Sequence, residues 1–202
     1  MFGAVMGQPE CWRRLARGTR MAAIVTGCLT LAQCGSLFST VDSKYGVSPS
    51  PRIVESGGPV PKGGGTYRIG KPYTVAGMTY TPQFDPNYRA EGLASFYGPE
   101  SHGRLTANGE VCDMDSLSAA HPTLPIPSYV RVTNLGNHKS VIVRVNDRGP
   151  YTPNRIIDLS MKTADVLGFH RSGVAQVLVE YVGPASLQGS DDRLLLTTLR
   201  DG

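Results

Sequence analysis

Two short runs joined by a turn restrict what this chain can fold into more than any other feature. In "YVRVTNLGNHKSVIVRVN" apolar and polar residues alternate from Tyr129 to Asn134 and again from Ser140 to Asn146, around a turn containing Gly136 and Asn137. A period of two places successive side chains on opposite faces of a strand, so the pair predicts a hairpin with one buried face. In its second strand Val141, Val143 and Val145 share one face, and Ile142 and Arg144 take the other. "EGLASFYG" from Glu91 and "VAQVLVEYV" from Val174 to Val182 read as further strands. Only "SMKTADVLGF" suits a helix, with Ser160 or Asp158 as N-cap and Gly168 near its end. About six short strands with one or two short helices imply a small, mainly β barrel.

What precedes the barrel differs in character. Lys and Arg outnumber Asp and Glu by 10 to 4 in residues 1–90, against 8 to 9 in residues 91–183, so the net charge of +4 is an N-terminal property. Arg13, Arg14, Arg17 and Arg20 lead into an apolar stretch, Met21 to Gln33, too short to span a bilayer. That order is the order of a secretory signal, and it removes the main support for nucleic-acid binding. Cys34 in "LAQC", or alternatively Cys28 in "VTGC", suits lipid attachment at a bacterial lipobox. Residues 1–34 are thus expected to be a lipoprotein signal. Residues 35–66 are expected to be a disordered linker, since twelve of the eighteen residues from Ser48 to Gly65 are Pro, Gly or Ser. Residues 67–90 read as an N-terminal β-arm, in which Tyr73 and Val75 face Met78 and Tyr80 across an Ala-Gly turn. The barrel is assigned to residues 91–183, and the tail from 184 to 202 is too short for a second domain. With Cys11 leaving with the signal and the lipidated cysteine blocked, Cys112 stands alone and no disulfide framework is expected.

Acids and one histidine concentrate in "TANGEVCDMDSLSAAH". Asn108 and Gly109 form a turn that lifts Glu110 out of regular structure, toward a ligand, with Asp113 and Asp115 on the same loop. His121 precedes the first proline of "PTLPIP", which holds its backbone extended. Asp147 and Arg148 sit just past a strand in "VRVNDRGPY", a rigid support for a site, though Asp147 could equally bond its own turn. Three readings follow. Carboxylates could protonate a glycosidic oxygen and handle the second proton transfer. A metal site could draw on His121, His102, Cys112 and nearby carboxylates, but no close HxxxH or CxxC pair supports it. The third is a polar loop with one structural histidine. His102, His138 and His170 read as surface.

The run "GLASFYGPESHGRLTANGEVCDMDSLSAAHPTLP", with "YVRVTNLGN", "SVIVRVNDRGPY" and "RIIDLS" after it, closely resembles the bacterial rare lipoprotein A family over residues 91 to 182. The resemblance implies a six-stranded double-psi β-barrel related to expansin and barwin domains. It implies an exported lytic transglycosylase acting on peptidoglycan strands stripped of their stem peptides. The family's catalytic glutamate falls on Glu110, its essential histidine on His121 and its aspartate on Asp147. Tyr97 and Arg148 are candidate substrate contacts. Phe96 stands where members often have Trp, and Cys112 where an aromatic is usual. Many members also carry a C-terminal septum-targeting repeat, for which the tail leaves no room.

The implied chemistry breaks the bond between N-acetylmuramic acid and N-acetylglucosamine by attack of the muramic 6-hydroxyl on its own anomeric carbon. A tethered nucleophile leaves proton transfer and charge stabilisation to the protein. Either Glu110 or Asp147 would be general acid and then base, while the other stabilises the cationic centre or orients His121. No cofactor and no metal are expected. The expected partner is peptidoglycan, contacted by a monomer held to the outer membrane by its lipid and facing the periplasm. Alternatives are a non-catalytic, expansin-like wall-binding lipoprotein and a hydrolase.

Overall fold

The computed structural model describes residues 48–55, 58–189 and 192–202. The signal and both candidate lipidation cysteines, Cys28 and Cys34, lie outside them. Eight strands and two short helices follow in order: β1 (Tyr73–Val75), β2 (Met78–Tyr80), β3 (Arg89–Tyr97), β4 (Ser118–Ala120), β5 (Ser128–Asn134), β6 (Ser140–Asp147), β7 (Arg155–Ser160), α1 (Met161–Val166), β8 (Ala175–Pro184) and α2 (Asp192–Leu196). Six of them close into a barrel in the order β3-β7-β4-β6-β5-β8. Two of its seams, β3 with β7 and β4 with β6, are parallel, and the others are antiparallel. This is the six-stranded, mainly β barrel expected from the alternating runs.

The alternation builds the core directly. Val130 and Val132 of β5, Val141, Val143 and Val145 of β6, and Val177 and Val179 of β8 are all fully buried, with Ile157 and Leu159 of β7. Burying each such side chain is worth about 1.5–3 kcal/mol against leaving it in water, so this stripe dominates the stability of the barrel. The opposite face of β6 departs from simple alternation, because Arg144 and Asn146 are buried as well. A loop covers them, and that loop carries Glu110.

Local signals hold at the ends of elements. Ser160 caps α1, its hydroxyl accepting from the Thr163 amide at 3.1 Å. The helix stops at Gly168, whose φ of 75° allows its own amide to bond Asp165 and that of Phe169 to bond Ala164, a Schellman closure. The β1–β2 turn has positive φ at both Ala76 and Gly77, the twist a two-residue hairpin requires.

Two boundaries differ from those drawn from composition. The expected linker is seated on the barrel where it is described. Arg52 donates to the carbonyls of His102 and Glu100, the amides of Ile53 and Val54 bond Gly103, and Lys62 reaches Asp113, Ser116 and Asp192. Glycine and proline here serve close approach and an extended path. A Cβ at Gly103 would lie 1.9 Å from the Val54 carbonyl, and one at Gly65 would lie 2.6 Å from Asn108. The tail is likewise part of the packing, since Leu195 is buried, Asp192 accepts from the Leu117 amide at 2.8 Å, and Arg200 pairs with Ser140.

Candidate active site

The loop from Thr106 to Glu110 lies across the end of β6 and holds two carboxyl groups in different environments. Gly109, at φ 93°, turns the chain so that the Thr106 amide bonds the Glu110 carbonyl at 2.8 Å. The Asn108 side chain accepts from the Thr106 hydroxyl and from the Glu110 amide, which stiffens the turn from within.

Glu110 is therefore not aimed at solvent. It is 4% exposed and fully engaged. Arg144 grips both of its oxygens, Asn146 donates to Oε2 at 2.9 Å, and Asn108 donates to Oε1 at 3.0 Å. Burial alone would raise its pKa, but these donors outweigh it and hold the carboxyl below its ordinary range. Glu110 is ionised at neutral pH and has no proton to give. Gly65, on the segment that crosses over it, leaves no room for a side chain above its Cγ.

Asp147 is the contrasting group. It continues the Val141, Val143, Val145 parity at the point where β6 leaves the barrel, and it is half-buried. Its Oδ1 accepts from the amides of Ala107 and Arg148, both at 2.8 Å, while its other oxygen has no partner among the described residues. Burial pushes its pKa up to about 6, against the lowering effect of those two amides and of the Arg148 charge. A carboxyl of this kind holds a proton in mildly acidic solution and loses it near neutrality. The two acids are linked through consecutive neighbours: Asn146 binds Glu110 beside Asp147, and Asn108 binds Glu110 beside Ala107.

No carboxylate among the described residues orients the His121 ring, contrary to the expectation that Glu110 or Asp147 would. The imidazole is 1% exposed; its Nδ1 accepts from the amides of Thr123 and Leu124, and its Nε2 meets the Tyr88 hydroxyl at 2.9 Å. Burial and the nearby Arg148 push its pKa down to about 3, so it is neutral and cannot shuttle protons at ordinary pH. Its link to the acid is through the backbone, where the His121 amide donates to the Asp147 carbonyl at 3.0 Å.

Arg148 spends its guanidinium on three carbonyls, those of Ile69 and Leu124 at 2.6 Å and His121 at 3.1 Å, and so ties the N-terminal arm to the barrel. It also walls a cleft of about 300 Å³ with Ala107, Tyr73 and Tyr151, beside Asp147. The rings of Tyr73 and Tyr80 stack at 5.4 Å, and Tyr151 closes on Tyr80 at 5.6 Å. A second, more apolar cleft of about 340 Å³ adjoins it through Arg68, Ile69 and Ile126, and carries the exposed rings of Tyr67 and Phe84. Tyr97 lines neither cleft. Its hydroxyl meets Ser118 at 2.8 Å, and burial raises its pKa well above the ordinary value. The two unusual positions are packing sites: Phe96 rests against Phe169 and His170, and the Cys112 thiol is buried with its pKa pushed up to about 12.

Sequence reasoning missed Arg144, Asn146, Tyr88 and the arm residues Arg68 and Lys71. A charged residue on a β6 whose other face is all valine was the available signal for Arg144. Of the residues in the metal reading, His102 and two nearby carboxylates, Asp113 and Asp115, offer three ligand atoms within 4.8 Å of one another. His102 Nδ1 there already accepts from the Met114 amide, and Asp113 is held by Lys62 and Ser116.

Residues 89–179 match the lytic transglycolase domain family. The chain is 58% identical over 114 residues to an endolytic peptidoglycan transglycosylase RlpA of Pseudomonas aeruginosa, covering 56% of this chain and 33% of that protein. A protein of the same name from Campylobacter jejuni is 42% identical over 167 residues, covering 81% of this chain and 59% of that one. The chain thus spans between a third and three fifths of the length of these relatives. A Streptomyces papain inhibitor superposes with a TM-score of 0.40 at 22% identity, over 50% of this chain and 99% of its own.

Proposed function

The barrel of this chain belongs to the rare lipoprotein A family of lytic transglycolase domains, and from that premise we propose that it is an endolytic peptidoglycan lytic transglycosylase acting on glycan strands without stem peptides. The observation that carries the proposal is Asp147: a carboxyl with pKa near 6, one oxygen fixed by two amides and the other without a partner among the described residues, bonded to two residues that line an open cleft.

Asp147 donates its proton to the leaving oxygen of N-acetylglucosamine as the glycosidic bond breaks. The muramic 6-hydroxyl attacks the anomeric carbon, and its proton passes to the Asp147 carboxylate, closing the 1,6-anhydro ring and restoring the acid. Glu110 stays ionised throughout and positions Asp147 through Asn146 and Asn108. His121 holds the 122–124 turn and the Tyr88 hydroxyl. The two adjoining clefts are open along one face, which suits a strand gripped along its length. The site of action is the cell envelope, by lipid attachment at Cys34 or Cys28 to the outer membrane, facing the periplasm. Among the described residues, no helix is long and apolar enough to cross a membrane.

Mass spectrometry of products from purified peptide-free strands tests the proposal. Internal cleavage with 1,6-anhydro ends is the expected result. Hydrated reducing ends would make the protein a hydrolase, and binding without cleavage would make it a wall-binding protein.

A further inference from the structure

The cleft beside Asp147 is lined by three cations, Arg68, Lys71 and Arg148, and by no carboxylate. Arg148 hydrogen-bonds only carbonyl oxygens and has Asp147 as its charged neighbour, so the two cations without an acid partner are Arg68 and Lys71. Arg68 makes one side-chain bond, from Nε to the Thr66 hydroxyl at 3.1 Å, which leaves both terminal nitrogens of its guanidinium open to a ligand. Lys71 is exposed, and neither it nor Arg68 forms an ion pair with any acid among the described residues. Both cations sit on the arm segment, which Arg148 and the Arg68 to Ile126 backbone pair fasten to the barrel, so the backbone that carries them is held at the cleft wall.

Uncompensated positive charge at the wall of a cleft concentrates and orients an anion. The sugars of a peptidoglycan strand are neutral except at one atom group, the lactyl carboxyl on C3 of muramic acid. It is an amide when a stem peptide is attached and a free carboxylate when the peptide has been removed. The same muramic residue supplies the anomeric carbon and the 6-hydroxyl that react at Asp147, so its lactyl group must lie close to the acid.

From this juxtaposition we infer that Arg68 and Lys71 form a subsite for the free lactyl carboxylate of the reacting muramic residue, and so select strands without stem peptides. The inference rests on the lyase reading above, in that it places the reacting sugar in the Asp147 cleft. Arg68 can take the carboxylate through paired N–H donors, and Lys71 adds a mobile charge at the rim. A peptide-bearing residue offers a neutral amide and added bulk at the same point, and it loses both contacts.

The test uses the full chain carrying Asp147→Asn, whose turnover is expected to be slow on the timescale of a binding measurement, and measures affinity for two probes. One is peptide-free strands; the other is the same strands with their lactyl carboxylates converted to methylamides. Neutralising the carboxylates is expected to weaken binding roughly tenfold, as is the double change Arg68→Gln with Lys71→Gln on native strands, in line with two exposed charge-assisted contacts. The double variant is expected to bind both probes alike. Removing two charges away from the cleft, at Lys139 and Lys162, is expected to leave affinity within about twofold, because screening at physiological salt confines the effect to about 8 Å. The inference is overturned if the methylamide strands bind as well as native ones, if the double variant still discriminates, or if the distant control loses as much affinity. Because the readout is binding, an absence of anhydro products would overturn the lyase reading alone.

Discussion

Asp147 and Glu110 are both acids of one short constellation, yet only one of them can carry a titrating proton in the working pH range. The difference is the number of donors each receives. Glu110 has an arginine and two amide side chains on its two oxygens, whereas Asp147 has two backbone amides on one oxygen and a free second oxygen. If Asp147 is the general acid, turnover falls as pH rises through about 6, where it loses its proton. Asp147→Asn is then expected to lower kcat by about 10²- to 10⁴-fold, the usual worth of general acid catalysis, while keeping the fold. Glu110→Gln is a different lesion, because it strands the Arg144 guanidinium without its counter-ion. It is expected to cost about 3–5 kcal/mol of stability and to reduce kcat by displacing Asp147, with the limb near pH 6 retained. Profiles of kcat against pH, with urea unfolding of each variant, check both statements. Loss of that limb in a well-folded Glu110→Gln variant would make Glu110 the acid instead.

At the scale of elements, the barrel strands were legible because one physical pattern, period-two alternation, both forms the strand and buries it. Val130, Val143 and Val179 are where that pattern puts them. Ser160 and Gly168 were legible as a helix cap and stop because capping is local chemistry. Arg144 was not, since its outward parity suits solvent equally well until the Glu110 loop folds over it. The packing of the described part of the segment before the arm was not legible for a related reason: Pro and Gly mark a lack of regular structure, and a chain can be irregular and still closely packed. Its anchor is Lys62, which bonds Asp113 at 2.7 Å and Asp192 at 3.1 Å and also reaches the Ser116 hydroxyl. Burial would lower the lysine's pKa, but the two carboxylates outweigh that and raise it. Lys62→Ala is therefore expected to loosen the strap locally by about 1 kcal/mol or less, since exposed ion pairs are worth little individually. Hydrogen exchange reports this at the Thr66 amide, bonded to Asn108 at 2.8 Å, while the amides of β5 and β6 keep their protection. An unchanged Thr66 rate would mean that Gly65 packing alone seats the strap.

The whole molecule brings these groups into opposition as the pH changes. Glu110, Asp113 and Asp192 are all held below their ordinary pKa, so each adds stability above about pH 4 that is lost as pH falls further. His121 is buried neutral with its pKa near 3, so the unfolded chain binds its proton first, and stability declines as pH drops from about 6.5 toward 3. Asp147 acts in the other direction. Its native pKa near 6 exceeds the unfolded value, so the folded chain binds the extra proton and stability declines as pH rises from about 4 to 6. Each of the latter two contributes a slope of at most about 1.4 kcal/mol per pH unit, less for Asp147 because solvent reaches it. Between about pH 4 and 6 the two slopes oppose each other, which predicts a shallower stability profile there than the His121 slope alone would give, and a steep fall below it. That plateau is also where Asp147 keeps its proton, the form that the proposed acid role requires. Urea unfolding across pH 3 to 8 tests the balance by removing one side of it. With Asp147→Asn the His121 slope stands alone, and stability is expected to climb from about pH 4 to 6 by as much as about 3 kcal/mol. With His121→Asn, whose side-chain oxygen can still accept from Thr123 and Leu124, the Asp147 slope remains and stability is expected to fall over the same range. Parallel profiles for the two variants would show that neither group titrates as its surroundings dictate.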